Sequence, residues 1–307
     1  MTIFPKPVLT ADEQVDLLVR RGMIVNDRQR ALHCLQHINY YRLRAYWLPD
    51  EVVAAPGHHA FRAGTDFDRI INLYNFDRNL RLLVMDAIEC VEISVRTGWA
   101  YVLAHRFGAS AHEDSTLFTD YDTYASSVNN LKSELGRSKE KFVAHHRRNY
   151  PNHPLLPIWA ACEVLSFNQL SVWFENLVHA PDRVEIAKPL RIDEQVLSSF
   201  LHHLTYVRNV CAHHGRLWNR EITITMKIPR RPADWAADFN AHAPTLLYNT
   251  LVMLALLVSQ ISPQNTWCSK LKALISEYPG VDITSMGFRA DWHSLSCWDN
   301  PKLTPSN

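Results

Sequence analysis

Apolar side chains recur at three- and four-residue steps through most of this chain, the period of helices that bury one face. Val15, Leu17, Leu18 and Met23 make the first stripe, and Thr10 with Glu13 three positions on forms a capping box at its start. Gly22 and Asn26 interrupt it, and a second helix runs from Asp27 to about Ile38. With the aromatic stretch Ile38 to Trp47, these make an N-terminal module over residues 1–60. The segment Leu48 to Gly64 carries Pro49, Pro56, Gly57 and Gly64 and reads as a loop or short hairpin.

A helical core follows over residues 61–262. Thr65 is placed to cap a long helix to about His105, with Asn75-Phe76-Asp77 offering a second start inside it. Leu80, Leu83, Val84, Ala87, Ile88, Val91 and Val95 line one side of it, while Glu89, Glu92 and Arg96 face elsewhere. A polar stretch from Phe107 to Asp122 precedes a helix from Thr123 to about Arg148, which Pro151, Pro154 and Pro157 end. The spacing then predicts a helix over 158–165, a polar interruption at Ser166-Phe167-Asn168, and another helix to about His179. Asp193 caps a helix whose stripe is Val196, Leu197, Phe200, Leu201, Leu204 and Val207. Thr245 to Ile261 is nearly all apolar but shorter than the roughly 20 residues of a bilayer span, so it reads as a core helix. Residues 263–307 supply a C-terminal helix and a tail without pattern beyond Pro279. The class expected is all-α.

Composition changes this picture little. The 9 Gly in 307 residues agree with helix, and 47% hydrophobic with 21% charged residues describes an ordinary folded chain. A net charge of +1 excludes a chain-wide basic field, so any nucleic-acid site must be a local patch. The six cysteines form no CxxC pair and Met1 to Lys6 has no signal-peptide pattern; a reduced, cytoplasmic setting without a membrane span is expected.

Candidate chemistry gathers at Arg208-Asn209-Val210-Cys211-Ala212-His213-His214. Seven Arg–His pairs in the chain satisfy a gap of four to six residues, so spacing alone selects none. Context favours Arg208 with His213, because they follow directly on a core-facing stripe, where unpaired charge is costly unless a cleft or interface receives it. On an ideal helix Asn209 and His213 share a face, whereas Arg208 and His213 lie about 140° apart, so the guanidinium must reach around or the helix must distort. An imidazole that titrates near neutrality can take a proton from a ribose 2′-OH while a guanidinium stabilises charge on phosphate oxygens. Asn209 would hold the imidazole or a phosphate oxygen. No metal or other cofactor is required, and one chain supplies one such set, so a symmetric homodimer is the natural arrangement.

The stretch Arg208 to Arg220 resembles the C-terminal signature of the Abi-like family, the AbiD and AbiF type abortive-infection proteins. Lys6 to Thr10 with Glu13-Gln14, Ile38 to Leu43 with Tyr46-Trp47, Phe76 to Arg81, Glu89 to Arg96, and Leu156 to Trp159 with Leu165 to Phe167 join it in the family's order. The resemblance implies a HEPN-type helical bundle, a toxin-like ribonuclease role in phage defence, and an RNA substrate, with a small structured RNA as a possible antitoxin. It assigns catalytic roles to Arg208, Asn209 and His213, with His214 as a substitute. Asn168 stands where the family pattern leads one to expect Gly, which bears on the local turn.

Further RNA-binding candidates are weaker. Glu92 and Arg96 either line the cleft or form an ordinary exposed pair worth roughly 0.3–0.5 kcal/mol. Arg42 and Arg44, interleaved with Tyr40, Tyr41, Tyr46 and Trp47, offer either a stacking surface or core packing. Arg147 and Arg148 close the densest basic run, which either grips phosphates or is a solvated face. Arg216, Trp218 and Asn219 follow the motif directly. Cys211, His213 and His214 lack the fourth ligand that a zinc site collects.

Overall fold

The computed structural model describes residues 7–55 and 58–299, and 67% of it is helical, with a two-stranded sheet as the minor component. The class is all-α. The chain divides into two compact units, Met1–Leu80 with Lys272–Asp282 and Arg81–Leu271 with Ile283–Asn307. Met1 to Lys6, the stretch read for a signal-peptide pattern and including Lys6 of the resemblance, lie outside the described residues.

In the first unit, α1 (Ala11–Arg20) starts at the expected capping box: the Thr10 hydroxyl accepts from Glu13 N–H and the Glu13 carboxylate accepts from Thr10 N–H. Val15 and Leu18 bury its apolar face. Asp27 caps α2 (Arg28–His37), and the aromatic stretch folds as α3 (Tyr40–Trp47), with Leu43, Tyr46 and Trp47 buried. The punctuated segment is an antiparallel hairpin, β1 (Glu51–Ala55) with β2 (His58–Phe61), bulged between Val53 and Ala55.

The long helix α4 (Phe67–Phe107) runs unbroken through Asn75. Asn75-Phe76-Asp77 does not start a second helix, since Phe76 and Asp77 are buried and the Asp77 carboxylate accepts a 2.7 Å bond from the Tyr46 hydroxyl. Nor is Thr65 the cap: its hydroxyl donates to Arg62 O, and the Asp66 carboxylate instead accepts from Arg69 N–H.

In the second unit the expected stripe of α4, Leu83, Val84, Ala87, Ile88, Val91 and Val95, is buried throughout. The single helix expected to about Arg148 is two, α5 (Tyr121–Arg137) and α6 (Lys141–Asn149), because Ser138 turns extended at ψ 131° and ends the first. Ile158 to Leu165 holds a short α7 (Ile158–Ala161) followed by a 3-10 turn. Ser166 is no interruption: it caps α8 (Phe167–Glu175) in a capping box with Gln169, and Asn168 is simply helical, so no glycine-dependent turn exists there. A helix that the pattern missed, α9 (Ala180–Ala187), precedes α10 (Glu194–Ala212), which packs on both α8 and α9.

After α11 (Ala233–Asp238), α12 (Leu247–Ile261) is buried on every side from Leu247 to Ser259, as expected of a core helix. Among the described residues no helix is long and apolar enough to cross a membrane. α13 (Trp267–Glu277) follows, and the segment after it is held by 3-10 turns and by Asp238, whose carboxylate accepts from Ser296 Oγ and Cys297 N–H.

Candidate functional site

Asp193 starts α10 by accepting from the Gln195 and Val196 N–H groups, and Val196, Leu197, Phe200, Leu201, Leu204 and Val207 anchor it in the core. This leaves the next residue, Arg208, half-buried at the rim, with Asn209, His213 and His214 exposed beyond it. The helix stays regular to Ala212, so Arg208 is carried on a different side from Asn209 and His213, and no distortion brings them together.

The way α10 stops fixes where the histidines stand. His213 is the C-cap, His214 adopts a left-handed backbone at φ 57°, His214 N–H donates to Cys211 O at 2.9 Å and Gly215 N–H to Val210 O at 2.7 Å. These two bonds make a Schellman end. Helix α1 ends in the same pattern, with Gly22 N–H to Val19 O and Met23 N–H to Leu18 O, but there the left-handed position is a glycine at φ 94°. In α10 a β-substituted residue occupies that position, at a cost of roughly 1–2 kcal/mol relative to a relaxed backbone. Glycine comes one place later because a Cβ on Gly215 would stand 3.1 Å from both Val210 O and Val210 Cγ1. The Gly215 carbonyl accepts from buried Arg81 of α4 at 3.3 Å.

Glu92 of α4 feels the charge of Arg208, and Arg96 pairs with Glu92. Arg96 donates to Glu92 at 2.6 Å and to Leu165 O at 3.0 Å, and lies 3.6 Å from Glu163. With side chains only 13% and 19% exposed, Arg96 and Glu92 are not the open surface pair that was one of two expectations. Burial pushes the Glu92 carboxyl above its ordinary range, against the opposing charges of Arg96 and Arg208. Arg208 thus lies within electrostatic reach of an acidic group.

Other candidates distribute as follows. The Arg216 guanidinium lies over the Trp218 ring at 5.8 Å, and Trp218 is buried, so this pair shapes the loop after the motif. Asn219 is half-buried at φ 48°. Arg147 donates to Leu135 O while Arg148 is exposed, both on α6. Arg42 and Arg44 belong to the first unit, where Arg44 makes two bonds to Glu51 at 2.9 and 3.1 Å, and of the neighbouring aromatics Tyr46 and Trp47 are core. Cys211 is buried, and among the described residues no group of three or more His, Cys, Asp or Glu is placed to hold a metal ion.

Two residues that the sequence offers only as part of the family resemblance, with no role, take one or stand out in the structure: Arg81 anchors the loop after the motif, and Trp159 stands exposed. Trp159 has a legible signal: Ile158, Ala161, Cys162 and Leu165 recur at helical steps and are all buried, which leaves residue 159 off the buried face.

A family model described as Abi-like protein matches residues 33–219, well over half of the chain, and its far end takes in the whole motif. The chain belongs to the Abi-like family. No curated protein and no solved structure matches it. For an Abi-like protein, the match begins within α2 and stops at Asn219, so α11 to α13 lie beyond it. Membership points to an abortive-infection protein.

Proposed function

We propose that this Abi-like protein is a metal-independent endoribonuclease of HEPN type acting in phage defence. The observation that carries the reading is the end of α10, where Arg208 stands at the rim of the core and His213 and His214 are held exposed by the Schellman turn. His213 takes the proton of a ribose 2′-OH, and the 2′ oxygen attacks the adjacent phosphorus. Arg208 stabilises the charge that builds on the phosphate oxygens, and Asn209 positions the imidazole or a phosphate oxygen. The P–O5′ bond then breaks, the 5′ oxygen leaves with a proton from a second histidine, and a 2′,3′-cyclic phosphate remains. A homodimer supplies that second histidine from the other copy, with His214 as the local substitute. A growth-arresting nuclease must be restrained until infection, and an RNA or protein antitoxin is the proposed restraint.

Incubating total cellular RNA in EDTA with the full-length protein and with an Arg208→Ala/His213→Ala variant tests this. Wild type is expected to leave fragments ending in 2′,3′-cyclic phosphate, and the variant to be slower by about 10²–10⁴-fold, the span of acid–base contributions. Equal fragments from both, with the dimer verified, would instead leave a non-catalytic RNA-binding module.

A further inference from the structure

Charge is spread unevenly along this chain. Between Lys132 and Arg148 six lysines and arginines stand against two glutamates, a net of +4 where the whole chain carries +1, so everything outside this stretch sums to −3. The structure sorts that run by what each side chain does. Arg137 pairs with Glu134 at 2.7 Å. Arg147 turns back to donate to Leu135 O, and His146 Nε2 donates to His153 O at 2.9 Å, so α6 is fastened both to the end of α5 and to the turn that follows it. Val143 is completely buried and fixes which face of α6 meets the protein.

Lys141, His145 and Arg148 lie about 160°, about 160° and about 140° round the helix from Val143, and all three are exposed. They form a row, with rises of about 6 Å and about 4.5 Å between successive members. Helix α6 holds no carboxylate, and the nearest in sequence are Glu140 and Glu163. A membrane-bound helix lays its apolar face into lipid, but Val143 is already buried in the protein, and Phe142, 38% exposed, lies about 90° from the middle of the row. A protein interface builds its centre from aromatic and apolar side chains and keeps charge at the rim, and this row has no such centre. A phosphate backbone needs only the cations.

We infer that the Lys141–His145–Arg148 row of α6 holds the phosphate backbone of RNA, by charge and without reading bases. The inference rests on the RNA reading given above and adds to it a contact that lends affinity and not catalysis. Arg148 of the basic run is part of this contact, whereas Arg147 is spent on holding α6 to α5.

Binding is measured by fluorescence anisotropy in the full-length His213→Ala background, with a random-sequence single-stranded RNA dodecamer, from about 50 to about 400 mM potassium chloride. Lys141→Gln/Arg148→Gln is expected to make the slope of log affinity against log salt shallower by about 1.4 and to weaken binding about 25-fold at about 0.1 M salt, the effect of two lost phosphate contacts. Arg20→Gln/Lys270→Gln, which removes the same charge from exposed positions elsewhere, is expected to leave the slope unchanged. Equal slopes for the α6 pair and its parent overturn the inference, as do equal losses in both pairs or failure of the parent to bind RNA. Loss of binding to phosphatidylserine vesicles in the α6 pair, with RNA affinity intact, overturns it in favour of a membrane surface. A contact through α6 in a wild-type protein that cuts no RNA would uphold the inference while removing the nuclease reading, and cutting by wild type with the slope of the α6 pair unchanged would do the reverse.

Discussion

Two buried histidines, His112 and His203, show that this chain uses imidazoles for more than surface chemistry. His203 lies on α10 with its Nδ1 facing Ile224 O at 2.5 Å and its Nε2 facing Thr250 Oγ1 at 2.8 Å. A carbonyl only accepts, so Nδ1 carries the hydrogen and Nε2 takes the threonine proton, which is the neutral form. Burial lowers both His112 and His203 to about 4. An unfolded chain binds those protons from about pH 6.5 downward, whereas the folded one refuses them until about pH 4. Their contribution is therefore complete above about pH 6.5 and is lost as pH falls toward 4, by up to about 1.4 kcal/mol per pH unit for each ring. Urea unfolding at pH 7 and pH 5 checks this: His112→Leu should remove its share of the difference, and an unchanged pH slope would show that this ring does not drive it.

At the scale of elements, pattern and structure part company mainly at helix ends. Capping residues are read from sequence as if their side chains were free to cap. Thr10, Asp27 and Asp193 are, and their helices begin where expected. Asp77 is not, because Tyr46 reaches it from α3, a partner 31 residues away that no local window contains. Tyr46→Phe is expected to cost about 1.5–3 kcal/mol, the value of a hydrogen bond to a charged group, and a thermal melt showing no loss would refute the assignment. The split of α5 from α6 is not legible because its agent is a backbone torsion at Ser138, with no proline to announce it. Ser166 reads as an interruption because a capping box in mid-pattern resembles one.

For the whole molecule, the class and the motif helix were legible because both rest on periodicity, which local sequence carries. The final segment was not. Its order comes from rings that meet across the chain, Tyr248 with Phe288 at 5.0 Å and Phe288 with Trp292 at 5.2 Å, on 3-10 turns too short to show a period. At the site, sequence placed the charged residues but not their neighbours. That Glu92 feels the charge of Arg208, that Arg81 holds Gly215, and that Trp159 is left bare depend on residues far apart in the chain, which no local window contains.

The Schellman end of α10 also governs how the site opens. The N–H groups of His213, His214 and Gly215 are each bonded back into the last turn, to Asn209, Cys211 and Val210, and the Gly215 carbonyl is held by Arg81. None of these amides can meet solvent through loop motion alone; the helix terminus must unwind first. In native-state hydrogen–deuterium exchange they should therefore show the protection of Cys211 and Ala212 and lose it at the same denaturant concentration. Exchange at the rate of an open turn would mean that the segment opens independently. In the kinetics of opening, the two histidines belong to the helix and not to the loop that follows it.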